Sequence, residues 1–138
     1  MFDIKKYFTD GLKNTLLFRN NSGTSHAGPW VQVYDNTKLD RWHVGDFSSA
    51  EYTISADLST AHKEILKVLV TASVDTASII VYSRNNTGRD LIEVTATVNS
   101  SYVDIILNPI LGVDSSSSAG TKVIYTAQYF HNQNPLTT

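Results

Sequence analysis

Glu64–Val74 reads EILKVLVTASV, and the spacing of its apolar residues decides the fold class. Drawn as an extended chain, it places Leu66, Val68, Val70, Ala72 and Val74 on one face and Ile65, Lys67, Leu69, Thr71 and Ser73 on the other. Successive side chains of a strand point to opposite sides, so a period of two marks β-structure. The β-branched residues that dominate the stretch also fit a pleated surface. Both faces are partly apolar toward its start, as expected of a central strand or of one covered by a neighbour.

The same grammar continues on either side. Glu51–Leu58 alternates strictly, with Tyr52, Ile54, Ala56 and Leu58 on one face. Leu91–Val98 sets Ile92, Val94, Ala96 and Val98 inward, and Thr121–Phe130 does the same with Val123, Tyr125, Ala127 and Tyr129. Shorter strands are expected at Thr15–Arg19, Trp30–Tyr34, Leu39–Val44, Ser78–Arg84 and Tyr102–Leu107. Asn20–Pro29 reads as loop and Asp35–Lys38 as a turn, because Asn, Asp, Ser and Gly favour turns. Asn85–Asp90 (NNTGRD) and Asn99–Ser101 read as hairpin turns, and Pro109 closes a strand because it cannot donate to a ladder.

Eight or nine strands at this spacing predict an all-β fold, a single antiparallel β-sandwich of jelly-roll-like or Greek-key type. The expected division is an N-terminal arm over residues 1–14, the sandwich over 15–131 and a C-terminal tail over 132–138. Leu66, Val68, Val70, Ile92, Val94, Ala96, Val123 and Tyr125 are the expected core. In the arm, Ile4, Tyr7, Phe8 and Leu12 approximate a helical stripe too short to stand alone. Such an arm either folds back over one end of the sandwich or docks against a neighbouring subunit. Phe2, Tyr7, Phe8, Tyr129, Phe130 and Leu136 are the expected oligomer contacts, since no core strand claims the apolar groups at the two chain ends.

Composition narrows the functional classes. The 138 residues include no cysteine, which removes disulfides, thiolate metal sites and cysteine nucleophiles together. Charged residues make up 17% of the chain, below the usual quarter, and the net charge is −2. Nucleic acids and anionic membranes demand a concentrated positive field, so neither is an expected partner. No apolar run approaches the roughly 18 residues that span a bilayer, and no basic-then-apolar leader opens the chain.

The chemistry-bearing residues are scattered. His26, His43, His62 and His131 lie in separate segments, without a second ligand at a metal-site spacing. Asp35 and Asp40 flank a turn that lacks the glycine and terminal glutamate of a calcium loop. Glu51 and Glu64 stand at strand starts, where solvated carboxylates need no special cause. Ser115–Ser118 lacks the Gly-x-Ser-x-Gly turn of a nucleophile elbow. No catalytic, cofactor-binding or metal-binding residues are expected, and the chain reads as no enzyme. Trp30, Tyr34 and Trp42 fall within thirteen residues on two strands joined by one turn. They either form a stacking platform for a glycan or pack the end of the sandwich.

Four stretches carry a resemblance: RWHVGDFSSAEYTISAD (Arg41–Asp57), KEILKVLVTASVDTASIIVYSR (Lys63–Arg84), LIEVTATVNSSYVDIILNPI (Leu91–Ile110) and GTKVIYTAQYFHNQNPL (Gly120–Leu136). Together they resemble small virion structural proteins of tailed bacteriophages, particularly the marine cyanophage type. The resemblance implies a subunit assembled in the host cytoplasm into a virion, at the tail, fibre or capsid surface. Its implied partners are other copies of itself and other virion proteins. The alternative is a carbohydrate-binding β-sandwich module that recognises host-surface glycan.

Overall fold

The structure, a computed structural model, describes residues 23–28, 30–110 and 120–133. The chain folds as an antiparallel β-sandwich. Among the described residues nine strands follow in order: β1 (Gly23–Ala27), β2 (Val31–Gln32), β3 (Thr37–His43), β4 (Phe47–Asp57), β5 (Lys63–Ala72), β6 (Ala77–Asn86), β7 (Ile92–Asn99), β8 (Tyr102–Pro109) and β9 (Lys122–His131). The larger sheet, A, runs β1-β9-β4-β5-β6, and β2 also pairs with β9. The smaller sheet, B, runs β3-β8-β7. β4 occupies the whole length of one side of β9, so β1 and β2 share the other side end to end.

The alternation read from the sequence is the alternation of burial. Leu66, Val68 and Val70 of β5 are buried, as are Ala50, Tyr52, Ile54 and Ala56 of β4 and Val123, Tyr125, Ala127 and Tyr129 of β9. Sheet B answers with Leu39, Trp42, Ile92, Val94, Val103, Ile105 and Leu107. Burying a Val, Leu or Ile contributes about 1.5–3 kcal/mol per side chain. All eight residues expected to form the core belong to it, Ala96 as a half-buried member.

The structure corrects several expectations. Gly23–Ala27 is not loop: its short polar residues pair from Gly23↔Phe130 to Ala27↔Thr126. Backbone hydrogen bonding needs no apolar side chain, so a strand on a sheet's rim leaves no period in the sequence. β5 is, as expected, an inner strand, flanked by β4 and β6, yet Ile65 and Leu69 on its second face lie exposed. NNTGRD makes no hairpin. The strand before it pairs with β5 and the strand after it with β8, so the segment carries the chain from sheet A to sheet B.

A buried carboxylate fixes that crossing. Glu64, whose side chain has no exposed surface, accepts hydrogen bonds at Oε1 from the backbone N–H groups of Leu91 (3.0 Å) and Ile92 (3.3 Å). Its Oε2 accepts from Arg84 Nη1 at 2.6 Å and Asn86 Nδ2 at 3.3 Å. Glu64 is therefore no solvated strand-start residue. The Asn99–Ser101 turn forms as expected: Ser100 and Ser101 have φ of 54° and 69° and join β7 to β8 as a two-residue hairpin. The arm, with Phe2, Tyr7 and Phe8, the Thr15–Arg19 strand and Leu136 all lie outside the described residues.

Candidate functional site on the outer face of sheet A

The structure separates the three aromatic residues expected to form a platform. Trp42 is buried at 4% exposure, and its Nε1 donates to the Tyr52 hydroxyl at 3.0 Å. Trp30 is 58% exposed and holds Lys122 Nζ 5.3 Å from its ring centroid. Tyr34 is exposed beside the turn into β3, where its backbone N–H donates to Thr37 Oγ1 at 2.6 Å. Trp42 belongs to the core and cannot stack on a surface ligand.

Trp42 is part of a buried polar cluster that sequence reasoning missed. The ladder between β3 and β8 slips so that Lys38 pairs with Ile106 and Asp40 with Ile105. The extra residue, Leu39, makes a bulge. Asp40 thereby stands opposite a residue buried between the sheets. Its Oδ2 accepts from the Tyr52 hydroxyl at 2.7 Å and the Tyr129 hydroxyl at 2.5 Å. Burial first, and the Asp40 charge with it, push the Tyr52 phenol well above its usual range. The same causes raise Tyr129, and push Tyr125 up to about 12. Two phenols donating to one carboxylate satisfy its oxygen between the sheets. Tyr129, expected as a subunit contact, points into this cluster instead.

The outward side of sheet A is different in character. Across its strands the register aligns Ser25, Gln128, Glu51, Leu69 and Ile80 in one row, and Ala27, Thr126, Thr53 and Lys67 in the next. A groove of about 430 Å³ lies over these rows, lined by Ser25, His26, Glu51, Thr53, Lys67, Thr126 and Gln128. Ser25 and Ala27, the β1 residues in these two rows, are small, which opens the groove toward the sheet rim. On the other side the β5–β6 ladder slips between Lys67↔Ser83 and Val68↔Val81, leaving Tyr82 as the extra residue. The bulge turns Tyr82 across β5, where its hydroxyl donates to Glu51 Oε2. That hydrogen bond is the main reason the Tyr82 phenol titrates above its ordinary value.

Around the groove stand the exposed apolar side chains of the same face: Ile65 and Leu69 of β5, Ile80 and Tyr82 of β6, and Ile124 and Phe130 of β9. Of the expected oligomer contacts within the described residues, Phe130 is on this surface and Tyr129 is not. The signal for the face was present in the sequence as the second apolar set of Glu64–Val74. Sheet B presents a more polar exterior. There Lys38 Nζ (3.4 Å) and Arg41 Nε (2.8 Å) cover Asp104, and the Arg41 guanidinium lies 4.5 Å from the Tyr102 ring centroid. Among the described residues no group of three or more His, Cys, Asp or Glu could hold a metal ion.

No protein-family model and no curated protein matches the chain. Partial structural likenesses exist to three phage proteins. The tailspike protein of Acinetobacter baumannii phage AM24 gives a TM-score of 0.47 at 11% identity, over 80% of this chain and 26% of that one. The tailspike of Acinetobacter baumannii bacteriophage Fri1, described as a capsular polysaccharide depolymerase, gives 0.45 at 18% identity over 83% and 19%. The tailspike of Acinetobacter phage vB_ApiP_P1 gives 0.42 at 13% identity over 79% and 21%. This chain thus spans only about a quarter, or less, of each tailspike it resembles.

Proposed function

We propose that the chain is a non-catalytic structural component of a bacteriophage virion, at the tail, fibre or capsid surface, acting through contacts with other copies and other virion proteins. The observation that carries this reading is the outer face of sheet A, where six large apolar side chains remain in solvent. Scattered apolar groups are ordinary on a protein surface, but a set gathered on one sheet face marks a surface meant for covering. The sequence resemblance to small phage structural proteins supplies the setting. Mass spectrometry of purified particles, with cryo-electron microscopy to place the density, tests it. The protein is expected at stoichiometric copy number in washed particles, and its absence from them would end the reading.

The groove favours a second reading, recognition of a host-surface glycan. The Thr53, Lys67, Thr126 and Gln128 side chains form no hydrogen bond with any described residue, so both donors and acceptors remain available. Sugar hydroxyls donate and accept together, which suits such a mixed set. Binding on a glycan array that is lost in Gln128→Ala would support this reading. Loss in Trp30→Ala alone would move the ligand to the corner formed by β2 and Lys122, and no binding to any glycan would reject it.

A further inference from the structure

The four edges of the two sheets are not equally protected. An exposed edge strand presents unpaired N–H and C=O groups, and proteins blunt such edges with charge, bulges or brevity. On one flank of the sandwich all three devices occur. β1 and β2 are five and two residues long, and β3 carries Lys38, Asp40, Arg41 and its bulge.

The other flank carries almost none. There β6 ends sheet A and β7 ends sheet B. β6 offers Ala77–Ser83, ASIIVYS, without a charged residue, and β7 offers Val94–Asn99, VTATVN, likewise uncharged. Between these two edges the core itself is open. Ile79 and Val81 pair with buried residues of β5, and Ala96 and Val98 with buried residues of β8. All four nevertheless remain half-exposed while packing against the core.

We propose that this flank is where a second copy of the chain docks, with β6 pairing antiparallel to β6 of the other copy about a two-fold axis. The proposal rests on the oligomeric reading above and adds, beside the outer face of sheet A, the strand edge that borders it. In a two-fold contact every residue meets the same patch, so a charged edge would oppose itself. The uncharged run of β6 satisfies that condition, and the charged edge of β3 does not. The bulge at Tyr82 limits regular pairing to the Ala77–Val81 half of the strand. Centring that half places Ile79 opposite its own copy and Ala77 opposite Val81, all on the inner face. Sheet A then continues across the contact, and the open ends of the two cores close on each other.

Two matched substitutions and one cross-link test this. Ile80 and Ile124 sit on the same sheet face at 58% and 56% exposure, so lysine at either leaves the fold intact. Light scattering over a dilution series is expected to show a dimer for the full chain and for Ile124→Lys, and a monomer for Ile80→Lys. Because the chain has no cysteine, Ile79→Cys should cross-link to its own copy under mild oxidation, while Ile124→Cys should not. An oligomer dispersed by Ile124→Lys but not by Ile80→Lys would overturn this flank and leave the oligomeric reading standing. A full chain that stays monomeric at every concentration would overturn both. Amide exchange on Ala77–Val81 that is slow in such a monomer would show the edge covered by the chain's own segments.

Discussion

Arg84 Nη1 lies 2.6 Å from Glu64 Oε2, and this ion pair sits where the chain passes from one sheet to the other. Arg84 also donates from Nη2 to the Ile92 carbonyl at 3.2 Å, so both ends of the crossing are tied to one guanidinium. Removing one member of a buried pair leaves the other charge without compensation, at a cost of about 3–5 kcal/mol. Arg84→Ala is expected to lose stability of that order in urea denaturation. Glu64→Gln should lose less, because the amide oxygen still accepts from Leu91 and Ile92. Equal losses in the two variants would show that the charge pair, which both remove, sets the cost, and not the uncompensated Glu64 carboxylate that Arg84→Ala leaves behind.

The Asp40 cluster gives a second ordering of variants. Asp40→Ala removes the acceptor of two buried phenols, and each stranded donor costs about 1–3 kcal/mol. Tyr129→Phe removes one donor and leaves Asp40 bonded to Tyr52. Its cost is expected near 1 kcal/mol, the net worth of a typical hydrogen bond. Thermal unfolding that ranks Tyr129→Phe below Asp40→Ala would contradict the geometry.

The same cluster predicts an alkaline limit. Below pH 10 the phenols are protonated in both folded and unfolded chains, so their contribution to stability is constant. Above about pH 10 the unfolded chain releases protons that the fold retains, since Tyr125 titrates near 12 in the fold against 10.0 outside it. The unfolded state then binds fewer protons, and stability falls as pH rises. The melting temperature is expected to decline from about pH 10 upward, and less steeply in a variant carrying Tyr52→Phe and Tyr129→Phe.

The β7–β8 turn offers a stabilising change. Ser100 and Ser101 both adopt positive φ, which costs an L-residue about 1–2 kcal/mol. Asn and Gly occupy these two positions of a type I′ turn at least cost. Ser100→Asn combined with Ser101→Gly should raise stability by about 1 kcal/mol, read as a higher urea midpoint. No gain would mean that the serine side chains offset the strain.

The strands that pack on the core were legible because burial imposes a period on them, as β4, β5 and β9 show. What escaped reading lacks that imprint. β1 pairs through its backbone with the Thr126–Phe130 half of β9, and its Ser and His side chains show no apolar face. NNTGRD has the composition of a hairpin, but its destination is set by Glu64, more than twenty residues earlier. The Asp40 cluster depends on a one-residue slip in β3 that no local pattern announces. On the outer face, the apolar members of β5 were visible in advance, whereas the groove exists only once four strands are laid side by side.

The placement of the two tryptophans has an optical consequence. Trp42, sealed between the sheets, should emit at short wavelength and resist collisional quenchers, while Trp30 emits as a solvated indole whether the chain is folded or not. A red shift on denaturation therefore reports the opening of the sandwich at Trp42 alone. Quenching that spares the blue component reads out the corner beside Lys122. One chain thus carries independent fluorescent gauges of its interior and of its rim.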